Sequence, residues 1–124
     1  VARYGVVSLD CDDPHALGAF WAAMLGGEIV VETPSTAVVR SAWVTIAALR
    51  VADHRPPTWP SDDVPKQMHL DLAVTDLEAA VAEAVQLGAR LALDQPRPDR
   101  WRVLFDPAGH PFCVTTGIPQ PPAH

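Results

Sequence analysis

DDPHALGAFWAAMLGG, residues 12–27, and its shorter echo DLEAAVAEAVQLG, residues 76–88, decide how this chain folds. In the first stretch Asp13 offers a carboxylate to the free amides of a first helical turn, and Pro14 brings a φ already set for a helix. Leu17, Phe20, Trp21, Met24 and Leu25 then fall at i, i+3, i+4, i+7 and i+8, a single apolar stripe that has to lie on a sheet. Gly26 and Gly27 end the helix by admitting the left-handed conformation. In the second stretch Asp76 is the cap, Leu77, Ala80, Val81, Ala84 and Leu87 are the stripe, and Gly88 is the stop. Cap to cap and stop to stop, the offset is about half the chain, the signature of a duplicated module rather than a solenoid.

Around each helix the flanking segments alternate as strands do. Tyr4–Cys11 sets Tyr4, Val6, Ser8 and Asp10 on one face and Gly5, Val7, Leu9 and Cys11 on the other. Gln67–Val74 repeats this, with Met68, Leu70, Leu72 and Val74 opposed to His69, Asp71 and Ala73. Glu28–Thr33 reads as a strand after the first helix. Val38–Arg50 and Val51–Arg55 suggest two more, divided near Ala48. After the second helix, Arg90–Leu93 is a short strand, and Trp101–Phe105 and Phe112–Thr116 are a hairpin turned at Asp106-Pro107-Ala108-Gly109. Pro56, Pro57, Pro60 and Pro65 forbid helix and central strand between the halves. The expected organisation is one α+β domain of two βαβββ modules: residues 4–55, a Pro-rich connection 56–66, residues 67–116, and a flexible tail 117–124. Each module covers one sheet face with its helix. The curved mixed sheets can then meet and enclose a central cavity between their uncovered faces.

Composition narrows the function. The 124 residues carry a net charge of −6, and the nine Lys and Arg are scattered, which argues against a nucleic-acid partner. No apolar run is long enough to span a bilayer and no signal pattern opens the chain, so the expected place is the cytoplasm, with no membrane partner. Two cysteines, Cys11 and Cys113, are too few for a disulfide framework and read as buried thiols.

These residues resemble a known family. Asp13-Pro14 followed by Leu17, Phe20-Trp21 and Leu25-Gly26 looks like the first module of the vicinal oxygen chelate superfamily, which holds glyoxalase I, extradiol dioxygenases, fosfomycin-resistance proteins and bleomycin-binding proteins. Met68-His69-Leu70-Asp71-Leu72 before Asp76-Leu77, and Asp106-Pro107-Ala108-Gly109-His110-Pro111-Phe112-Cys113, match the second module. Pro57-Thr58-Trp59-Pro60 and the segment Gly109–Val114 resemble small glyoxalase-like proteins common in actinobacteria. The resemblance implies a homodimer. In metal-using members it also implies a divalent ion, here Zn, Ni, Fe or Mn, held by a His on the first strand of a module and a Glu on the last. His69, seven residues before Asp76, matches that His; the equivalent before Asp13 is Val6, which is no ligand. The Glu falls at Cys113, a poor substitute in a hard-metal site. His54 or Ala52 stands at the fourth position. The candidate metal set is therefore His69, His54 and Cys113.

Weighed singly, His69 and Asp71 are the candidate catalytic pair, a general base oriented by its neighbour. The plainer alternative has His69 bonding across the central strands to Ser8 or Asp10. Ser8, Asp10, Trp43, Trp59, Arg102 and Cys113 are the candidate ligand-binding residues. Asp10 and Asp71 occupy comparable inward positions, and Arg102, read as inward-facing, can pair with either. Trp21 belongs to the core, while Trp43 and Trp101 are read on strands, with either face open to them. Trp59, on the Pro-rich loop, is expected to fold over a ligand or a second subunit. His110 reads as structural, His15 as solvated, and His124 lies in the tail. Three functions fit: a protein binding a small metabolite or antibiotic in a Trp-lined, acidic cavity; a divalent-metal-dependent lyase, isomerase or dioxygenase; and a metal-free enzyme moving protons through His69.

Overall fold

A computed structural model describes residues 3–118. It separates into two compact units, with the boundary between Pro56 and Pro57. The Pro-rich segment from Pro57 onward thus belongs with the second unit, and Pro56 with the first. The expected tail lies largely outside the described residues, Pro119, Pro121, Pro122 and His124 among them.

The first unit runs β1 (Val7–Cys11), α1 (Pro14–Leu25), β2 (Glu28–Thr33), β3 (Thr36–Arg40) and β4 (Thr45–Arg50). Its sheet has the order β1-β4-β3-β2, with β1 parallel to β4 and the other pairs antiparallel. Asp13 caps α1 by accepting from the Ala16 amide, and Gly26 closes it with φ 61°. Leu17, Phe20 and Trp21 of the stripe are buried, as are Leu9, Cys11, Val39 and Ile46 of the sheet, and the helix packs on β3 and β4. The helix sits close to β3: a Cβ on Gly18 would stand 2.8 Å from the Ala37 Cβ.

The second unit repeats the pattern with β5 (Leu70–Ala73), α2 (Leu77–Leu87), β6 (Arg90–Leu91), β7 (Trp101–Phe105) and β8 (Pro111–Thr115), in sheet order β5-β8-β7-β6. Asp76 accepts from the Ala79 amide to cap α2. At the β7–β8 turn the buried Asp106 carboxylate accepts from the amides of Ala108 and His110. Two tandem βαβββ modules with mixed four-stranded sheets are therefore present, as expected. Among the described residues no helix is long and apolar enough to cross a membrane.

The strand boundaries need correction. The division in the first unit is not near Ala48 but at residues 41–44, where the Ser41 hydroxyl donates to the Val44 carbonyl at 2.7 Å and accepts from the Val44 amide at 3.3 Å. One serine in an otherwise apolar run is a weak turn signal. Val51–Arg55 is not a strand; it turns at Asp53, which holds a left-handed φ of 56°. β5 begins at Leu70 rather than Gln67, where its pairing with β8 begins, Leu70 opposite Phe112. β1 likewise begins at Val7, opposite Ile46. β6 stops at Leu91 because the Gln95 carboxamide takes over its role: it accepts from the Val103 amide at 3.0 Å and donates to the Val103 carbonyl at 2.9 Å.

Candidate functional site

Alternation along the second sheet sorts its side chains. Leu72, Leu104, Phe112 and Val114 are buried, on the same face as Arg102, whose guanidinium donates to the Glu78 carboxylate of α2 at 2.6 Å. The opposite face carries Asp71 of β5, Cys113 of β8 and Val103 of β7, with Trp101 opposite Thr115 further along. On this face Trp59 folds back from the Pro-rich loop. It packs, with Trp101 and Cys113, against a cluster of Ala92, Val103 and Phe105, its ring 6.4 Å from that of Phe105. The loop holds its own shape through Thr58, whose amide donates to the Val64 carbonyl at 2.8 Å and whose hydroxyl accepts from the Val64 amide at 2.9 Å.

Between loop and sheet lies a cavity of about 360 Å³, lined among others by Trp59, Lys66, His69, Asp71, Trp101 and Cys113. A second hollow of about 610 Å³ shares Asp71, Trp101 and Thr115 with it and adds Asp99 and Arg100. Four polar side chains meet in the first. Lys66 Nζ lies 3.3 Å from His69 Nδ1, and His69 Nε2 lies 3.4 Å from an Asp71 carboxylate oxygen. An ammonium can only donate, so in neutral His69 the Nδ1 lone pair accepts and Nε2 carries the hydrogen facing Asp71. The Cys113 thiol in turn bonds to Asp71; burial first, then the charge and hydrogen bond of that carboxylate, push the thiol up to about 11, against a smaller lowering by Lys66. At neutral pH Cys113 is a thiol and not a ready nucleophile.

His69, Asp71 and Cys113 each offer one ligand atom, and the three atoms lie within 4.8 Å of one another. Imidazole, carboxylate and sulfur are all metal donors, and three protein ligands with one position left open is the count a reactive ion needs. On donor chemistry the trio fits a divalent ion.

The structure brings together His69, Asp71, Cys113 and Trp59 from the sequence-derived set, and adds Lys66 and Thr115. Lys66 was hidden by its place at the end of a loop, though it stands three residues before His69. Asp71 as a metal donor was missed because its approach to Cys113 depends on the parallel pairing of β5 with β8. The partners of His69 here are Lys66 and Asp71 rather than Ser8 or Asp10. Two expectations are overturned. Arg102 does not face the cavity but is drawn to α2 by Glu78. Trp43 is not on a strand; it sits 61% exposed in the β3–β4 turn of the first unit. His54 follows β4 in the first unit and is not a member of the trio. Ser8 and Asp10 lie on the exposed face of β1, also in the first unit. His15 is exposed, as expected, and lies 2.6 Å from the Glu32 carboxylate. Lys66, lining the same cavity as Asp71, makes it mixed in charge rather than acidic.

No curated protein matches the chain in sequence. Solved structures match it in fold. The fosfomycin resistance protein FosX from Mesorhizobium loti has a TM-score of 0.69 at 14% identity, covering 95% of this chain and 94% of that one. The bleomycin-binding protein from Streptomyces verticillus, complexed with copper(II)-bleomycin, scores 0.59 at 21% identity over 95% and 98%. A mutant FosX from Listeria monocytogenes, complexed with Mn(II) and 1S,2S-dihydroxypropylphosphonic acid, scores 0.71 at 15% identity over 95% and 92%. At such identities these likenesses establish the fold alone. The family model described as a glyoxalase-like domain matches residues 6–115, nearly the whole chain, and on that match the chain belongs to the glyoxalase-like domain family.

Proposed function

We propose that this protein binds a small organic molecule, a metabolite or an antibiotic, in the cavity of its second unit. The observation that carries the reading is the pairing of two indoles, Trp59 and Trp101, with the polar row Lys66, His69 and Asp71 around about 360 Å³. Specific pockets are built this way, with apolar walls that supply affinity and a few placed polar groups that fix orientation. The row offers donors at Lys66 and an acceptor at Asp71, so it suits a ligand with both kinds of group next to an aromatic or aliphatic body. The relatives complexed with bleomycin and with a phosphonate support the ligand class. Quenching of tryptophan fluorescence during a compound screen tests the reading. Saturable binding that weakens in Trp59→Ala and in Trp101→Ala is expected. A ligand bound equally well by both variants would sink the assignment to this cavity.

Two enzymatic readings use the same residues. The Lys66–His69–Asp71 row favours proton transfer at His69 without a metal, which full activity of His69→Ala on an identified substrate would exclude. The ligand trio favours a divalent-metal-dependent lyase, isomerase or dioxygenase, the ion supplying Lewis-acid chemistry when bound. For that reading Lys66 and the indoles would orient the substrate and exclude water. We also propose a cytoplasmic homodimer without nucleic-acid or membrane partners; light scattering on the eluting protein tests the dimer.

A further inference from the structure

We propose that the ligand is an elongated molecule in two parts: an aromatic or aliphatic body in the first hollow, and an amino-carboxylate arm that crosses Trp101 into the second, where Arg100 takes its carboxylate and Asp99 its ammonium. This inference rests on the reading of the first cavity as a small-molecule site and adds the chemistry of the ligand's far end.

The two hollows meet at Asp71, Trp101 and Thr115, which line both. The polar members of that boundary are already engaged. Asp71 faces His69 Nε2 at 3.4 Å and bonds to the Cys113 thiol. The Thr115 hydroxyl donates to the Arg100 carbonyl at 3.1 Å and accepts from the Gly117 amide at 3.1 Å. The indole of Trp101 is what remains for a ligand to lie across, a large apolar surface with one polar edge. A molecule that fills the first hollow, of about 360 Å³, can continue over it into the second, of about 610 Å³.

Beyond Trp101 the side chains change in kind. The turn ahead of β7 is fixed by its backbone, the amides of Arg100 and Trp101 both donating to the Arg97 carbonyl, at 2.9 and 3.0 Å. Residues 97–102 carry three arginines, and two of them are occupied. Arg97 lies over the Trp101 ring, 6.0 Å from its centroid, and Arg102 is held by the Pro98 carbonyl and Glu78. The Arg100 guanidinium has no side-chain partner among the described residues, and neither has the carboxylate of its neighbour Asp99. Both line the second hollow. Opposite charges on successive residues that do not neutralise each other are complementary to a group carrying both signs. An amino-acid head is such a group: the guanidinium takes its carboxylate through two parallel bonds, and the aspartate takes its ammonium. A purely anionic arm meets Asp99 as a like charge, and a purely cationic arm meets Arg100. The pair therefore selects the zwitterion over either half.

The test is calorimetric titration of the full chain with O-(naphthylmethyl)serine and two analogues, one lacking the ammonium and one lacking the carboxylate. Acetylation of Lys66, the only lysine of the chain, gives a second readout by mass spectrometry, because a body seated in the first hollow shields that amine. The serine conjugate is expected to bind tightest, and all three probes to shield Lys66 and to weaken in Trp59→Ala. Arg100→Ala should weaken the conjugate and the acid on the order of fivefold and spare the amine. Asp99→Asn should weaken the conjugate and the amine by a similar factor and spare the acid. Both residues are exposed and the turn is held through backbone atoms, so the variants keep the fold, which unfolding curves check. Probes that shield Lys66 but bind alike, or an arm preference unmoved by Arg100→Ala and Asp99→Asn, would overturn this inference and leave the cavity reading standing. Probes that neither shield Lys66 nor lose affinity in Trp59→Ala would overturn both.

Discussion

The Cys113 thiol is the most perturbed side chain of the site, and the cause is local. Burial and the Asp71 carboxylate hold it near 11 against an ordinary 9.0. Its thiolate fraction at pH 8 is then about a hundredfold below that of an ordinary cysteine. Iodoacetamide should label Cys113 correspondingly slowly, with the rate rising toward pH 11. Asp71→Asn removes the carboxylate charge that raises the thiol, so labelling at pH 8 should accelerate; mass spectrometry of the modified peptide reads both effects. An unchanged rate in Asp71→Asn would show that burial alone sets the thiol. At this scale much of the site was legible in the sequence. The alternation of His69 with Asp71 put both on one face, and the distance from the turn at Asp106 placed Cys113 on the last strand, though not that this strand pairs with β5. Lys66 and Arg102 were not legible, for opposite reasons: Lys66 reaches the site from a loop with no periodicity. Arg102 has its direction set by a partner, Glu78, distant in sequence.

Helices were readable from end to end because their signals are local. Asp13 and Asp76 cap, Gly26 and Gly88 stop, and the stripes between them have the right period. Strand limits were less readable because a strand lasts only as long as its partner. The alternation of residues 67–69 precedes the ladder with β8, which starts at Leu70 and Phe112, and β6 is cut short when the Gln95 side chain takes up its partner's hydrogen bonds. That substitution makes Gln95 a testable element. Gln95→Ala would leave the Val103 amide, on a residue only 4% exposed, without its acceptor. A cost of about 1–3 kcal/mol is expected for such an unpaired buried group, measured by urea unfolding. Gly18 makes a similar case in α1. A Cβ there meets the Ala37 Cβ at 2.8 Å, and Ala37 lies within β3 and is fully buried. Gly18→Ala should therefore destabilise by about 1–3 kcal/mol despite the better helix propensity of alanine. A gain in stability would mean that α1 can lift from the sheet at little cost.

Across the whole molecule the duplication is plain in the elements and absent from the chemistry. Both units have the same strand order, but the second places His69 where the first has Val6, and only the second brings three metal donors together among the described residues. This asymmetry gives global stability a dependence on pH with a definite sign. The thiol of Cys113 ionises near 9.0 in the unfolded chain and near 11 in the folded one, so the folded state keeps its proton longer. Its contribution is fully present below pH 9 and is lost as pH rises through 11. Below pH 9 both states hold the proton and no slope arises from this group. Other groups titrate in the alkaline range, so the measurement is comparative: urea unfolding midpoints of the wild-type chain and of Cys113→Ala from pH 7 to 11. The wild-type should lose stability more steeply above pH 9, and the two curves should run parallel below it. Parallel curves throughout would mean that the thiol is not held protonated by its surroundings, and the reading of Asp71 and Cys113 as a hydrogen-bonded pair would fall with it.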